Sequence, residues 1–76
     1  MPKPRSDGAK IRKARRERGI KSATLADRVG IARQTLYNVE SNDAALSIEY
    51  VQRAADILGC PVEDLLRDTE REAVAS

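Results

Sequence analysis

The sequence predicts an all-α fold, a compact bundle of five short helices. Three observations carry that reading. Apolar residues recur three or four positions apart in successive stretches, the spacing that lines one face of a helix. No stretch alternates apolar and polar residues over the length of a strand. Gly19, Gly30, Gly59 and Pro61 stand between the stretches, where helices stop.

A chain of 76 residues, 41% hydrophobic and 34% charged, has the make-up of one soluble globular domain. It contains no Phe and no Trp, so its core rests on Ile, Leu, Val and Ala. Such a core supports a stability of roughly 3–5 kcal/mol. The single cysteine, Cys60, has no partner for an intramolecular disulfide, and without His no Cys/His metal site forms. No nucleophile stands beside a plausible base and no glycine loop could cradle phosphate, so an enzyme is not expected, nor a cofactor or a small-molecule ligand. The N-terminal stretch lacks the apolar run of a signal peptide and no segment is long enough to span a bilayer, which points to the cytoplasm.

The charge is divided along the chain. Residues 1–40 hold eleven Lys/Arg against four Asp/Glu, a balance of +7, whereas residues 41–76 hold three against eight, a balance of −5. The first half should attract polyanions.

Residues 1–7, with two prolines, Lys3 and Arg5 and no core candidate, read as a flexible arm that either frays or follows a phosphate backbone. The first helix should run from Gly8 to Arg18, with Asp7 as N-cap and Gly19 as its stop. Ile11 and Ala14 form its narrow apolar stripe. Arg15 and Arg18 flank that stripe, so at least one Arg borders the core. Lys10, Arg12, Lys13 and Arg16 form either a solvated face or a phosphate-contacting one. Ile20 anchors the turn into a second helix that starts at Lys21 or Ser22 and carries Leu25, Ala26 and Val29 inward. Gly30 suits a left-handed C-cap, and Ile31 fills the space before the next helix.

The third helix, from about Arg33 to Ser41, is the informative one. At about 100° per residue Leu36 and Val39 fall on one side, while Arg33, Gln34, Tyr37, Asn38 and Ser41 share an opposite arc of about 140°. Arg can pair with guanine and Asn or Gln with adenine through base edges in the major groove. Two short helices meeting at a glycine turn, the second bearing such a face, suggest a helix-turn-helix. Asn42 is placed to end this helix in the left-handed conformation. Ser47 should cap a fourth helix whose inward stripe is Ile48, Val51, Ala54, Ala55 and Leu58. Gly59 and Pro61 stop it, and a fifth helix is expected from Val62 to Arg67, with Leu65 and Leu66 turned onto the core. Residues 68–76 read as an acidic tail, leaving 8–67 as the domain.

From about Ile11 to Leu66 the chain resembles the lambda-repressor-like helix-turn-helix domains of the Cro/repressor or XRE type. The resemblance rests on Arg15, Gly19-Ile20, Leu25-Ala26, Val29-Gly30-Ile31, Leu36, Val39-Glu40, Ala54, Leu58-Gly59 and Leu65. It implies that the third helix enters the major groove, and that Arg15 and Glu40 pair to orient it. By the same resemblance Arg33, Gln34, Tyr37 and Asn38 take the base-contacting positions, and Ser22 takes the phosphate contact at the start of helix two. Lys10, Arg12, Lys21 and Ser41 are the further phosphate candidates. The chain departs from the pattern at Lys21 and Ala32, where capping hydroxyls are usual. It departs again at Ser22, where Gln is common, and at Asp43-Ala44-Ala45, a loop ill-suited to clasp phosphate.

The function so implied is a sequence-specific regulator that binds double-stranded DNA without a cofactor. Two copies would be expected on a pseudo-palindromic site. Leu65, Leu66 and Val74 could form a dimer seam, or the two leucines could close the core. The alternative is a protein-interaction module of the same fold that uses the acidic half.

Overall fold

The computed structural model describes residues 5–67, which form four α-helices and one 3-10 turn. The helices are α1 (Gly8–Glu17), α2 (Ser22–Val29), α3 (Arg33–Asn42) and α4 (Ile48–Leu58), and the 3-10 turn is Val62–Leu65. α1 packs on α3 and on the 3-10 turn, α2 packs on α3 and α4, and α4 closes on the 3-10 turn. Between them lies one core of Ile11, Leu25, Ala26, Val29, Leu36, Val39, Leu46, Val51, Ala54, Ala55, Leu58 and Leu65. Burial of these aliphatic side chains is the main favourable term in folding.

The helix ends follow local chemistry. The Asp7 carboxylate accepts hydrogen bonds from the Ala9 and Lys10 amides at 3.1 and 3.3 Å, capping α1. Lys21, Ala32 and Ser47 occupy the other α-helical N-cap positions without a side-chain cap bond. Gly30 ends α2 at φ 92°, and its amide and that of Ile31 both donate to the Ala26 carbonyl. This left-handed turn redirects the chain from α2 into α3.

Four expectations are corrected. The fifth helix is a single 3-10 turn ending at Leu65, because Leu66 turns extended, at φ −102° and ψ 150°, and pairs with Ser6 in an antiparallel bridge. The fold therefore has four α-helices rather than five. Arg5, Ser6 and Asp7 are not a free arm: the Asp7 amide donates to the Leu65 carbonyl, and the Arg67 amide donates to the Arg5 carbonyl. Ser6 is buried, its hydroxyl oxygen accepting from the Leu46 amide at 2.9 Å. Asn42 lies inside α3, and it is Asp43 that takes the left-handed conformation, at φ 55°. Ile48 is 43% exposed. It opens α4, and helical side chains tilt toward the N-terminus, so a residue in the first turn projects past the packed part of the helix. Residues 1–4, with Lys3, and the expected tail at 68–76, with Val74, lie outside the described residues.

One close approach fixes how α1 meets α3. A Cβ built on Gly8 would lie 1.9 Å from the Val39 carbonyl oxygen, so only glycine lets the start of α1 reach the backbone of α3.

Candidate nucleic-acid interface

α3 is held from three sides, which determines what it presents to solvent. Leu36 and Val39 are buried and fix its inner face. The Gly30 turn and half-buried Ile31 fix its start relative to α2. Its far end is fixed by Glu40, whose two carboxylate oxygens accept from Arg15 Nε at 2.9 Å and Arg15 Nη2 at 2.8 Å, while Arg15 Nη1 donates to the Ile20 carbonyl at 2.8 Å. The Arg15 and Glu40 side chains are only 12% and 6% exposed. One guanidinium thus ties α1, the turn before α2 and the end of α3 together, with each N–H edge of its fork satisfied.

The opposite face of α3 is open. Arg33, Gln34 and Ser41 are exposed, Tyr37 is 59% exposed, and Asn38 is half-buried beside them. Gln34 Nε2 donates to Asn38 Oδ1 at 3.2 Å, and Asn42 Nδ2 donates to the same oxygen at 3.4 Å. Asn42 therefore joins the polar row along α3. The i, i+4 spacing that brings it there is legible in the sequence once α3 is known to extend through it. At the start of the helix Arg33 pairs with Asp27 of α2, and the hydrogen bond and charge of Arg33 hold the Asp27 carboxyl below its ordinary value.

The flanks are basic. At the start of α2, Lys21 and Ser22 are exposed, and the helix begins without a side-chain cap bond. Backbone N–H groups at such an end, with the positive end of the helix dipole, favour an anion. On the other side of α3, Arg12 and Arg16, one turn apart on α1, rim a shallow depression of ≈ 400 Å³ that reaches Glu40. Arg16, one of the four basic residues of α1 expected to form a solvated or phosphate-contacting face, is a further cation of this flank. The Lys10 ammonium donates to the Leu66 carbonyl at 2.9 Å, in a groove that it shares with Cys60, Glu63 and Asp64. Lys10 and Arg12 differ by about 200° around α1 and so lie on opposite sides of that helix.

The loop after α3 is closed on itself. Asp43 accepts from the Gly8 amide at 3.3 Å and pairs with Arg67, and its carbonyl accepts from Arg5 at 2.8 Å. The hydrogen bonds from Arg67 and then from Gly8 hold the Asp43 carboxyl below its usual value. Burial pushes the Cys60 thiol up, which leaves it a protonated and weakly nucleophilic group. Among the described residues no cluster of His, Cys, Asp and Glu could hold a metal ion, and no helix is long and apolar enough to cross a membrane.

α2, the Gly30 turn and α3, with the third-helix side chains turned outward, make a helix-turn-helix set in an all-α domain. The helix-turn-helix family HTH_3 matches residues 11–65, and the chain belongs to that family. A protein of Sulfolobus acidocaldarius provisionally named as an HTH-type transcriptional regulatory protein is 32% identical over 65 residues, which is 84% of this chain and 21% of that protein. The chain therefore spans about a fifth of that relative's length. The crystal structure of SinR, a master regulator of biofilm formation, in complex with DNA is 28% identical with a TM-score of 0.68, covering 75% of this chain and 95% of that one. The restriction-modification controller protein C.AhdI of Aeromonas hydrophila, at 24% identity and a TM-score of 0.69 over 75% of this chain and 86% of that one, shares the fold.

Proposed function

We propose that the chain is a sequence-specific reader of double-stranded DNA that acts in transcription regulation, with α3 laid in the major groove. The observation that carries this reading is the open face of exposed Arg33, Gln34 and Tyr37 with half-buried Asn38 beside them, on a helix whose other faces are pinned by Leu36, Val39 and the Arg15–Glu40 pair. Arg33, Gln34 and Asn38 read base edges. Tyr37 meets a phosphate or a thymine methyl. Ser22, Lys21, Arg12 and Ser41 line the flanks and set the register on the backbone without reading sequence. The SinR–DNA complex, similar over three quarters of this chain, supports the same use of the fold. Binding needs no cofactor. Two copies occupy a pseudo-palindrome, with half-sites about one helical turn or a multiple of it apart.

Titration of the chain with random duplex DNA over a series of salt concentrations tests the reading. Log affinity should fall linearly with log salt, by about 0.9 for each phosphate neutralised. Absence of binding even at low salt would contradict it. That outcome would favour the second reading, a protein-interaction module, for which the exposed acidic residues Glu49, Asp56, Glu63 and Asp64 of the second half supply a surface.

A further inference from the structure

The Asp27–Arg33 pair is unlike the other ion pairs of the fold. Arg33 Nε donates to Asp27 Oδ1 at 3.3 Å and Nη2 donates to Oδ2 at 2.9 Å, yet the side chains are 68% and 58% exposed. The Arg15–Glu40 fork is enclosed and joins distant parts of the core, and Asp43 ties down both ends of the domain. The Asp27–Arg33 pair joins only two neighbouring helices, and an ion pair so open to water contributes little to stability. It also sets a carboxylate beside the face that phosphates would approach, where negative charge weakens binding to every duplex. What the pair does accomplish is geometric. Asp27 engages the side of the guanidinium, Nε and one Nη2 hydrogen, and so leaves the end-on pair at Nη1 and Nη2 for a ligand. Two parallel N–H groups are the match for the N7 and O6 acceptors of guanine.

We propose that Asp27 is a positioning residue that sets base specificity: it holds Arg33 with its end-on N–H pair offered to a guanine, giving up affinity for duplexes in general to gain discrimination at one base pair. The inference rests on the reading of α3 as the base-reading helix.

The test uses the full chain. Duplexes selected from a random pool define the preferred site. Competition between that site and versions with the guanine replaced then gives the discrimination ratio for wild type, Asp27→Asn, Arg33→Lys and Arg33→Ala. Asp27→Asn keeps side-chain size at an exposed position, and a thermal melt checks that each variant folds. The expected result is that Asp27→Asn binds random duplex at least as tightly as wild type while losing about fivefold or more of the guanine discrimination. Arg33→Lys should lose the ratio, since an ammonium keeps the charge without the fork. If Arg33→Ala abolishes discrimination and Asp27→Asn leaves it unchanged, the positioning role is overturned while base reading by Arg33 stands. An equal loss by Asp27→Asn on all duplexes, with the ratio preserved, overturns it as well. If Arg33→Ala preserves the ratio, Arg33 does not read the guanine, and the inference falls with the reading it rests on.

Discussion

Glu40 is the residue on which the presentation of α3 depends most. A carboxylate near a face meant for phosphates is unfavourable by itself, but here both of its oxygens are taken by Arg15 and its side chain is nearly enclosed. Glu40→Ala should cost about 3–5 kcal/mol, on the scale of the whole stability of so small a core, and so leave the chain largely without helical circular-dichroism signal even before urea is added, because it strands the Arg15 guanidinium away from water. No change in stability would show that the pair does not hold the helix. Asp43 makes a different prediction. Its folded-state pKa lies below that of the unfolded chain, so its contribution is present above the ordinary carboxylate value and is lost as pH falls through the lower, folded one. Asp43→Asn should therefore show a shallower loss of stability than wild type in acid titration below about pH 4. These two residues were not equally legible in the sequence. The pairing of Arg15 with Glu40 followed only from the family resemblance. Asp43 stood out only as part of a loop ill-suited to clasp phosphate, because its partners Gly8 and Arg5 lie 35 and 38 positions away and local spacing says nothing about contacts of that range.

At the scale of the helices, the periodic pattern read well wherever an element was long enough to show a period. α2 follows its apolar stripe and α4 follows its own from Val51 onward, and Gly30 ends α2 in the left-handed turn that its lack of a Cβ suits. The pattern failed where an element is one turn long. Val62–Leu65 is too short to display helical spacing, and the strand pairing of Leu66 with Ser6 satisfies backbone groups that a longer helix would otherwise have bonded. The beginning of α3 is an intrinsic weakness: Ala32 has no side-chain oxygen to accept from the first turn. Ala32→Ser should stabilise the fold by about 0.5–2 kcal/mol in chemical denaturation, the value of a restored N-cap. An unchanged midpoint would mean that the first turn of α3 already has its donors satisfied. Nothing in the sequence pattern foretold the Asp27–Arg33 pair, because the two residues lie on different helices and meet only once the Gly30 turn sets the angle between them.

At the scale of the whole molecule, the charge asymmetry has a structural counterpart. The basic first half supplies α1, α2 and α3, and the acidic second half supplies α4 and the 3-10 turn that back them. The two ends of the described chain meet through Ser6, Leu66, Arg5 and Arg67, so the domain closes on itself beside the far end of α3. The buried Ser6 hydroxyl satisfies the Leu46 amide, which would otherwise lose about 1–3 kcal/mol as an unpaired donor. The measurement that bears most directly on the proposal as a whole is selection of bound duplexes from a random pool by wild type, Arg33→Ala and Asn38→Ala. Wild type should recover a defined motif, and each variant should relax it at its own base position by about 1–3 kcal/mol of discrimination. Recovery of the same motif by all three proteins would contradict the assignment of base reading to α3.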